Sequence, residues 1–302
     1  MFSPEKFPTS LTVDHIREQI RTLQGVRHRL TAPEALERAA TYLSESFGNM
    51  GYDVTEHRFE EQGSPFRNII ATRTGTTLPH ERVCVVAHYD TVAASPGADD
   101  NASGVAVLLE LAELLRQTDL DRTVQFIGVS LEENQREGEH DSGLCGSKAL
   151  ARFARESGWD IAGVIVLESV AYAGDTIMQG APAGLPFPIP ATGTFIAVIG
   201  NEHSRPLVHS FVGSVERWRV NLPVVPLVVP GNGEILPDTR RSDHAPFWDN
   251  GYPAIMVTDT TNFRNPHYHQ PTDTLETVNP AFAAEVCRAV GGLILAIAHA
   301  PH

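Results

Sequence analysis

Residues 83–104 carry the stretch that decides the fold, VCVVAHYDTVAASPGADDNASG. Its first five residues are apolar and mostly β-branched, a composition typical of a buried strand, and they end at His88. The stretch closes on small residues, Asn101-Ala102-Ser103-Gly104, which lead into an apolar segment of helical period at 104–116. A strand, a polar loop and a helix in this order indicate one unit of an α/β fold.

The same alternation continues on both sides of this unit. Strands are predicted at 123–131, 161–167, 224–229 and 253–258, and helices at 13–23, 147–156, 203–219 and 280–299. A further helix is predicted from a capping box, Thr31-Ala32-Pro33-Glu34, to a stop at Gly51. An edge hairpin at 52–59 and 66–73 is predicted to turn at 63–65.

These elements predict an α/β fold: a mixed, mostly parallel β-sheet covered by helices on both faces, in a single domain of residues 1–302. Segment 180–193 is rich in Gly, Pro and Ala and has no period, so it is predicted to be a loop. Because this segment follows Glu168, a candidate site residue, it is expected to form a wall of the pocket at that site.

Charge and composition narrow the class of protein. Lys and Arg total 23 against 37 Asp and Glu, a formal net charge of −14 that repels nucleic acid and anionic membranes. No run approaches the roughly eighteen consecutive apolar residues of a membrane span. No secretory signal is visible at residues 1–8, so a cytoplasmic location is expected, and three cysteines without a close pair fit thiols in a reducing compartment. The oligomeric state is left open.

Five metal-ligand residue types occur where apolar runs give way to polar loops: His88, Asp100, Glu133, Glu168 and His269. In a doubly wound sheet the carboxyl ends of the strands converge on one crevice, so these side chains are expected to meet there. Imidazole and carboxylate without thiolate suit zinc, with manganese or cobalt as alternatives. Five ligands hold two ions only if one carboxylate bridges. Asp100 is the natural bridge because small residues follow it, and Asp99 is its rival.

The remaining chemistry is predicted from neighbours of these ligands. Glu133 is predicted to ligate while Glu132 acts as the general base on a water molecule. Asp90, two residues beyond His88, is expected to accept the second imidazole N–H and so fix the ring's tautomer.

Taken together, these motifs resemble the co-catalytic zinc aminopeptidases of the M28 peptidase family, in order and spacing, from about residue 83 to 274. The resemblance implies a zinc-exopeptidase-like fold with two zinc ions. It assigns His88 and Glu168 to one ion and Glu133 and His269 to the other, with Asp100 bridging. It also implies that Glu132 is the base, that Asp90 supports a ligand and that Tyr268 stabilises the tetrahedral intermediate. The stretch Ser242-Asp243-His244-Ala245-Pro246-Phe247 resembles a supporting motif of the same family.

Two features depart from the family pattern. Residues 134–142 intervene between the double glutamate and the Gly143-Leu144-Cys145-Gly146-Ser147 turn, and Glu168 stands where Asp is more common. His140 and Asp141 in the intervening loop are expected to face solvent. His267 is a second candidate beside His269, but the spacing to Asp273 favours His269.

The function expected from the motifs is that of a metal-dependent exopeptidase acting on peptides, with an aminopeptidase preferred. A carboxypeptidase or dipeptidase on the same metal core is the main alternative. No clear arginine-rich carboxylate clamp is visible to favour it, although four arginines are available: Arg205, Arg240, Arg241 and Arg264. A glutaminyl cyclase fits less well, because that chemistry keeps one zinc and this chain offers ligands for two. A binding module that has lost catalysis is the alternative outside enzymes, and the complete ligand set argues against it.

Overall fold

The computed structural model describes residues 9–134 and 142–299. The strands are β1 (Asp53–Glu61), β2 (Ser64–Arg73), β3 (Leu78–His88), β4 (Arg122–Val129), β5 (Asp160–Glu168), β6 (Ile196–Asn201), β7 (Val224–Val229) and β8 (Ala254–Thr258). The helices are α1 (Thr9–Leu23), α2 (Pro33–Asn49), α3 (Gly104–Leu115), α4 (Cys145–Glu156), α5 (Arg205–Arg217), α6 (His244–Asp249) and α7 (Pro280–Ala298).

The strands form one eight-stranded sheet in the order β1-β2-β4-β3-β5-β8-β6-β7. The central strands β4, β3, β5 and β8 run parallel to one another, and so do β6 and β7. The β1–β2, β2–β4 and β6–β8 pairings are antiparallel. The prediction of a mixed, mostly parallel sheet is therefore confirmed, with the β1–β2 hairpin at one edge.

Helices cover both faces of the sheet, as predicted, because alternate residues of the central strands are apolar on both sides. Val83, Val85 and Ala87 of β3 face a large core that includes residues of α1, α2, α3, α5 and α7. Cys84 and Val86 face a smaller core that includes residues of α4 and α6. Among the described residues, α7 alone is long and apolar enough to cross a membrane, but 67% of that apolar stretch is buried inside the protein.

Two local predictions are wrong, and one strand was missed. No side chain caps α2: Ala32 occupies the N-cap position, and the hydroxyl of Thr31 lies 3.2 Å from His28 Nδ1 instead. The hairpin turns at Gln62 and Gly63, both with positive φ, because a two-residue turn between right-twisted strands requires that conformation. Finally, β6 is a strand that the pattern does not predict, because a short apolar run carries too little periodicity to define one.

Candidate metal centre

The candidate ligands lie at one end of the sheet. His88 ends β3 and Glu168 ends β5, and these two strands are parallel neighbours. Asp100 lies in the turn Ala98–Ser103 that leads directly into α3, and Glu133 follows the end of β4. His269 comes from the loop after β8. Carboxyl ends of parallel strands meet at one edge, which explains why ligands so distant in sequence converge.

The five side chains form two groups of three that share Asp100. In the first group, His88 Nε2 lies 3.2 Å from Asp100 Oδ1 and 3.4 Å from Glu168 Oε2. In the second, His269 Nε2 lies 3.2 Å from Asp100 Oδ2 and 3.2 Å from Glu133 Oε2. Asp100 therefore turns one oxygen toward each group, which is the arrangement of a bridging carboxylate.

The donor atoms fit a pair of cations. His88 Nε2, His269 Nε2 and Asp100 Oδ1 are buried, yet none has a hydrogen-bond partner among the residues that the structure describes. Buried polar atoms are rarely left in this state, and a cation between them supplies the missing partner. Two imidazoles and three carboxylates without a thiolate form a donor set that suits zinc.

Asp273 and Asn101 hold the bridging residue in place. The Asp273 carboxylate accepts hydrogen bonds from the backbone N–H groups of Asp99 and Asp100, at 2.9 and 3.2 Å. The Asn101 side chain donates to Leu167 O at 2.8 Å and so ties the turn to the end of β5. Both anchors are buried, so the shared carboxylate has a fixed position relative to Glu168.

Asp99, the rival for the bridge, points elsewhere. Its Oδ1 accepts from Ala171 N at 3.0 Å, and its Oδ2 accepts from Asn265 Nδ2 at 2.8 Å. Burial, followed by the nearby Asp259 carboxylate, raises the pKa of Asp99 well above its ordinary value. For Asp100, burial also acts to raise the pKa, but the imidazoles of His269 and His88 outweigh it and hold that pKa well below its ordinary value.

The family model for peptidase family M28 matches residues 68–294 of this sequence. The chain belongs to peptidase family M28. The match covers most of the chain and includes all five residues of the two groups. The predicted resemblance is confirmed, and with it the class of metal-dependent peptidase.

Curated relatives extend the likeness over nearly the whole sequence. The uncharacterized protein YfbL of Escherichia coli strain K12 is 32% identical over an alignment 298 positions long, which covers 92% of this chain and 86% of that protein. Leucine aminopeptidase 1 of Fusarium vanettenii is 26% identical over 75% of this chain and 54% of its own length.

Solved structures share the fold of this M28 chain. BSAP, a zinc aminopeptidase from Bacillus subtilis, superposes with a TM-score of 0.76 at 15% identity, covering 95% of both chains. A glutaminyl cyclase from Porphyromonas gingivalis superposes with a TM-score of 0.70 at 21% identity, covering 95% of this chain and 98% of that one. One fold thus accommodates both chemistries, so the side chains of the site must distinguish them.

Asp90 supports the M28 site differently from the expectation. Its Oδ1 lies 3.6 Å from His88 Nδ1, too far for a hydrogen bond. Instead its two oxygens accept the backbone N–H groups of Glu132 and Glu133, at 3.0 and 3.2 Å. Asp90 therefore orients the double glutamate, because the backbone N–H groups of both residues donate hydrogen bonds to its carboxylate.

Ser242 supports the candidate ligand Glu168, for which the sequence alone indicated no hydrogen-bond donor. Its hydroxyl donates to Glu168 Oε2 at 2.7 Å, and both groups are buried. The motif around residue 242 signalled a supporting role, but the spacing could not reveal which ligand the hydroxyl contacts. The bond restricts the longer arm that Glu168 has in place of Asp.

Glu132 and Tyr268 lie beside the two ligand groups. Glu132 lines the same cavity as Asp100 and Glu168, and burial raises the pKa of Glu132 well above its ordinary value. The Tyr268 ring stacks on the candidate ligand His269, with ring centroids 3.8 Å apart. Tyr268 also accepts a hydrogen bond from Arg241 Nη2 at 3.3 Å, which orients its hydroxyl.

Strained backbone occurs at three positions of the site. Leu131, Ser169 and His269 have φ values of 59°, 47° and 60°, in the left-handed region that L-residues seldom adopt. The first precedes Glu132, the second follows Glu168 and the third is itself a candidate ligand. Such strain persists where surrounding contacts over-determine the backbone, as they do at functional sites.

A cavity opens beside the two groups of candidate ligands. Its apolar lining comes from β6, β7 and β8, through Ala197, Ile199, Val225, Leu227 and Met256, and from the loop predicted at 180–193, through Pro182, Leu185, Phe187 and Ile189. The loop therefore forms the pocket wall that the sequence predicts. The apolar side chains of the loop lie opposite the strands β6, β7 and β8, and the cavity lies between the loop and these strands.

A buried arginine clamps this wall. Arg264 donates from Nε to Gln179 Oε1 at 2.8 Å and from its Nη atoms to Tyr172 O at 3.3 Å and Phe195 O at 2.8 Å. Gln179 in turn donates to Thr260 Oγ1 at 2.8 Å. These bonds join both ends of the loop to the segment after β8, so the wall has a defined position.

Among the described residues, the candidate histidines His267 and His244 lie outside the two groups. His267 Nδ1 lies 2.9 Å from Thr272 Oγ1, and the His267 ring packs edge-on against Tyr172. His244, the first residue of α6, has its Nε2 atom 2.7 Å from the backbone carbonyl oxygen of Thr239, which precedes the helix. His140 and Asp141 belong to the predicted 134–142 loop, whose residues 135–141 lie outside the described part of the chain.

Sequence reasoning missed Arg27, which lies behind the site. Its guanidinium is buried and donates to the backbone carbonyls of Leu23, Tyr89 and Gly97, among others. It thereby holds the segment between His88 and Asp100 against the end of α1. No local pattern marks such a residue, because its partners are backbone atoms far away in sequence.

Proposed function

We propose that this chain is a two-metal aminopeptidase that removes the N-terminal residue of peptides. The observation that carries the proposal is the pair of ligand groups that share Asp100 at the wall of a cavity that Glu132 also lines. Peptidase family membership supports hydrolysis of a peptide bond.

One ion would be held by His88, Asp100 and Glu168, and the other by Asp100, Glu133 and His269. Zinc suits both sets, with manganese or cobalt as alternatives. When bound, the ions would polarise the scissile carbonyl and lower the pKa of a water molecule. Two groups of three candidate ligands favour a hydrolase over a glutaminyl cyclase, because the cyclase chemistry uses a single zinc ion.

Glu132 is proposed to move the proton. It faces the cavity next to both ligand groups, and Asp90 holds its backbone so that the carboxylate has a defined direction. A carboxylate here takes the proton of the attacking water and passes it to the leaving amine. Tyr268, stacked on His269, is positioned to donate to the carbonyl oxygen as negative charge develops on it.

The acidic surroundings favour a substrate with a free α-amine. Glu132 lines the cavity and is not one of the candidate metal ligands, so its charge is not neutralised by an ion, and the chain carries a formal net charge of −14. A protonated amine is attracted into such a site and is held beside the scissile carbonyl. The apolar walls of the cavity suit a large apolar side chain on the N-terminal residue.

The test compares peptides that differ only at their termini. The zinc-loaded protein should cleave a pentapeptide with a free α-amine, should fail on its N-acetylated form and should tolerate amidation of the C-terminus. Removal of metal with a chelator should abolish cleavage, and added zinc should restore it. Cleavage of the acetylated peptide together with failure on the amidated one would overturn the proposal in favour of a carboxypeptidase.

A further inference from the structure

Arg241 is the only basic residue among the described residues that line the cavity. It directly precedes Ser242, whose hydroxyl binds the candidate ligand Glu168. Its guanidinium also contacts Tyr268, which stacks on the candidate ligand His269. Arg241 is therefore one contact away from each group of ligands.

The guanidinium of Arg241 keeps donors available to a substrate. Within the described part of the chain it donates to two neutral groups, Asn262 Oδ1 at 2.8 Å and Tyr268 Oη at 3.3 Å. Its acidic neighbour, Asp238, lies 3.5 Å away, and both side chains are more than 40% exposed. Such an exposed pair is weak, and an arginine offers five N–H donors.

The arginines nearest in sequence and space are committed elsewhere. Arg240 pairs with Asp249 through its Nη2, at 2.8 Å. Arg264 is buried and clamps the pocket wall through Gln179 and two backbone carbonyls. Arg241 thus provides one cationic pole in a cavity whose metal end is lined by carboxylates.

We propose that Arg241 binds the C-terminal carboxylate of a dipeptide, so that the enzyme prefers free dipeptides to their C-terminal amides. The inference rests on the proposed aminopeptidase function and adds its substrate class. The carboxylate of a dipeptide lies one residue beyond the scissile bond, and successive Cα atoms are about 3.8 Å apart. The Arg241 guanidinium, which contacts Tyr268 beside the candidate ligand His269, can meet this carboxylate with two parallel hydrogen bonds.

The two poles of the cavity then match the two charges of the substrate. Glu132, which is not a candidate metal ligand, attracts the α-ammonium group, whereas Arg241 repels that group and attracts the carboxylate. A zwitterionic dipeptide is therefore oriented with its peptide bond between the poles. A neutral amide at the C-terminus loses the second attraction.

The experiment measures kcat/KM for Phe-Gly and for Phe-Gly-amide with the zinc-loaded enzyme. The wild type should favour the free acid by about tenfold to a hundredfold, the range of a charge-assisted hydrogen bond, with most of the difference in KM. In Arg241→Gln the ratio should fall to near one. Arg241→Lys, which keeps the charge but not the planar fork, should give an intermediate ratio.

Arg240→Gln is the matched control, because it removes a neighbouring arginine that does not line the cavity, and it should keep the wild-type ratio. Arg241→Gln also removes the hydrogen bond to Tyr268. That loss lowers kcat/KM for both peptides equally, so it does not change the ratio of the two kcat/KM values. A wild-type ratio near one, or a ratio that survives Arg241→Gln, overturns the inference and leaves the aminopeptidase intact. Failure of the metal-loaded wild type to cleave either peptide overturns the proposed function, and this inference with it.

Discussion

Ser242→Ala should weaken one of the two metal sites and leave the other intact. The Ser242 hydroxyl donates to Glu168 Oε2 at 2.7 Å, and both groups are buried. Glu168 belongs to the group of His88 and Asp100, not to that of Glu133 and His269. The substitution removes a single oxygen atom and fits the space without a clash.

The magnitude follows from the kind of bond that is lost. A hydrogen bond to a charged group contributes about 1.5–3 kcal/mol, and loss of a partner that orients a metal ligand costs about 10–100-fold in metal affinity. Glu168 keeps a contact from the Ser169 hydroxyl to Oε1, at 3.4 Å, but this does not replace the donor at Oε2. We therefore expect the zinc dissociation constant of the site that contains Glu168 to rise by about one to two orders of magnitude, with the other unchanged.

The assay is a stepwise zinc titration of the apoprotein in competition with a chromophoric chelator. Ser204→Ala is the matched control, because Ser204 is equally buried and its hydroxyl donates to Asn201 Oδ1 at 2.6 Å, away from both groups. The control should lose thermal stability but keep both zinc affinities. If Ser242→Ala bound both ions like the wild type, or lost both equally, the assignment of Ser242 to one site would be refuted.

Four further outcomes are expected. Elemental analysis of protein purified without chelator should approach two divalent ions per chain, and a value that stays at one under excess zinc would favour the cyclase alternative. Glu132→Gln should keep its metals and lose about 10²–10⁴-fold in kcat, whereas Glu133→Gln should lose metal affinity; the reverse pattern in metal content and rate would exchange their roles. Ala197→Leu, which narrows the cavity floor, should reduce kcat/KM for Phe-Gly more than for Ala-Gly, and equal losses would place the substrate side chain elsewhere. Burial lowers the pKa of His244 from 6.5 to about 4, so its neutral form contributes stability that is present above pH 6.5 and is lost as the pH falls, about 2 kcal/mol of it by about pH 5. Urea unfolding should therefore show a smaller loss between about pH 7.5 and about pH 5 in His244→Gln than in the wild type, and identical losses would contradict this role.

The sequence by itself predicted the five candidate ligands and the end of the sheet where the structure brings them together. Apolar runs that stop at His88 and Glu168 mark the ends of parallel strands, and the ends of parallel strands share one edge of a sheet. The small residues after Asp100 likewise predict a close turn before α3. These are local signals, because strand length, helical period and turn chemistry are carried by neighbouring residues.

Only the tertiary structure decided how these residues face one another. It separated Asp100 from Asp99, gave Asp90 the backbone of the double glutamate rather than the imidazole of His88, and identified Ser242 as the partner of Glu168. It also selected Arg241 among the arginines as the one that lines the cavity. The direction of a side chain and its partner far away in sequence depend on how whole elements pack, and no local period encodes that packing.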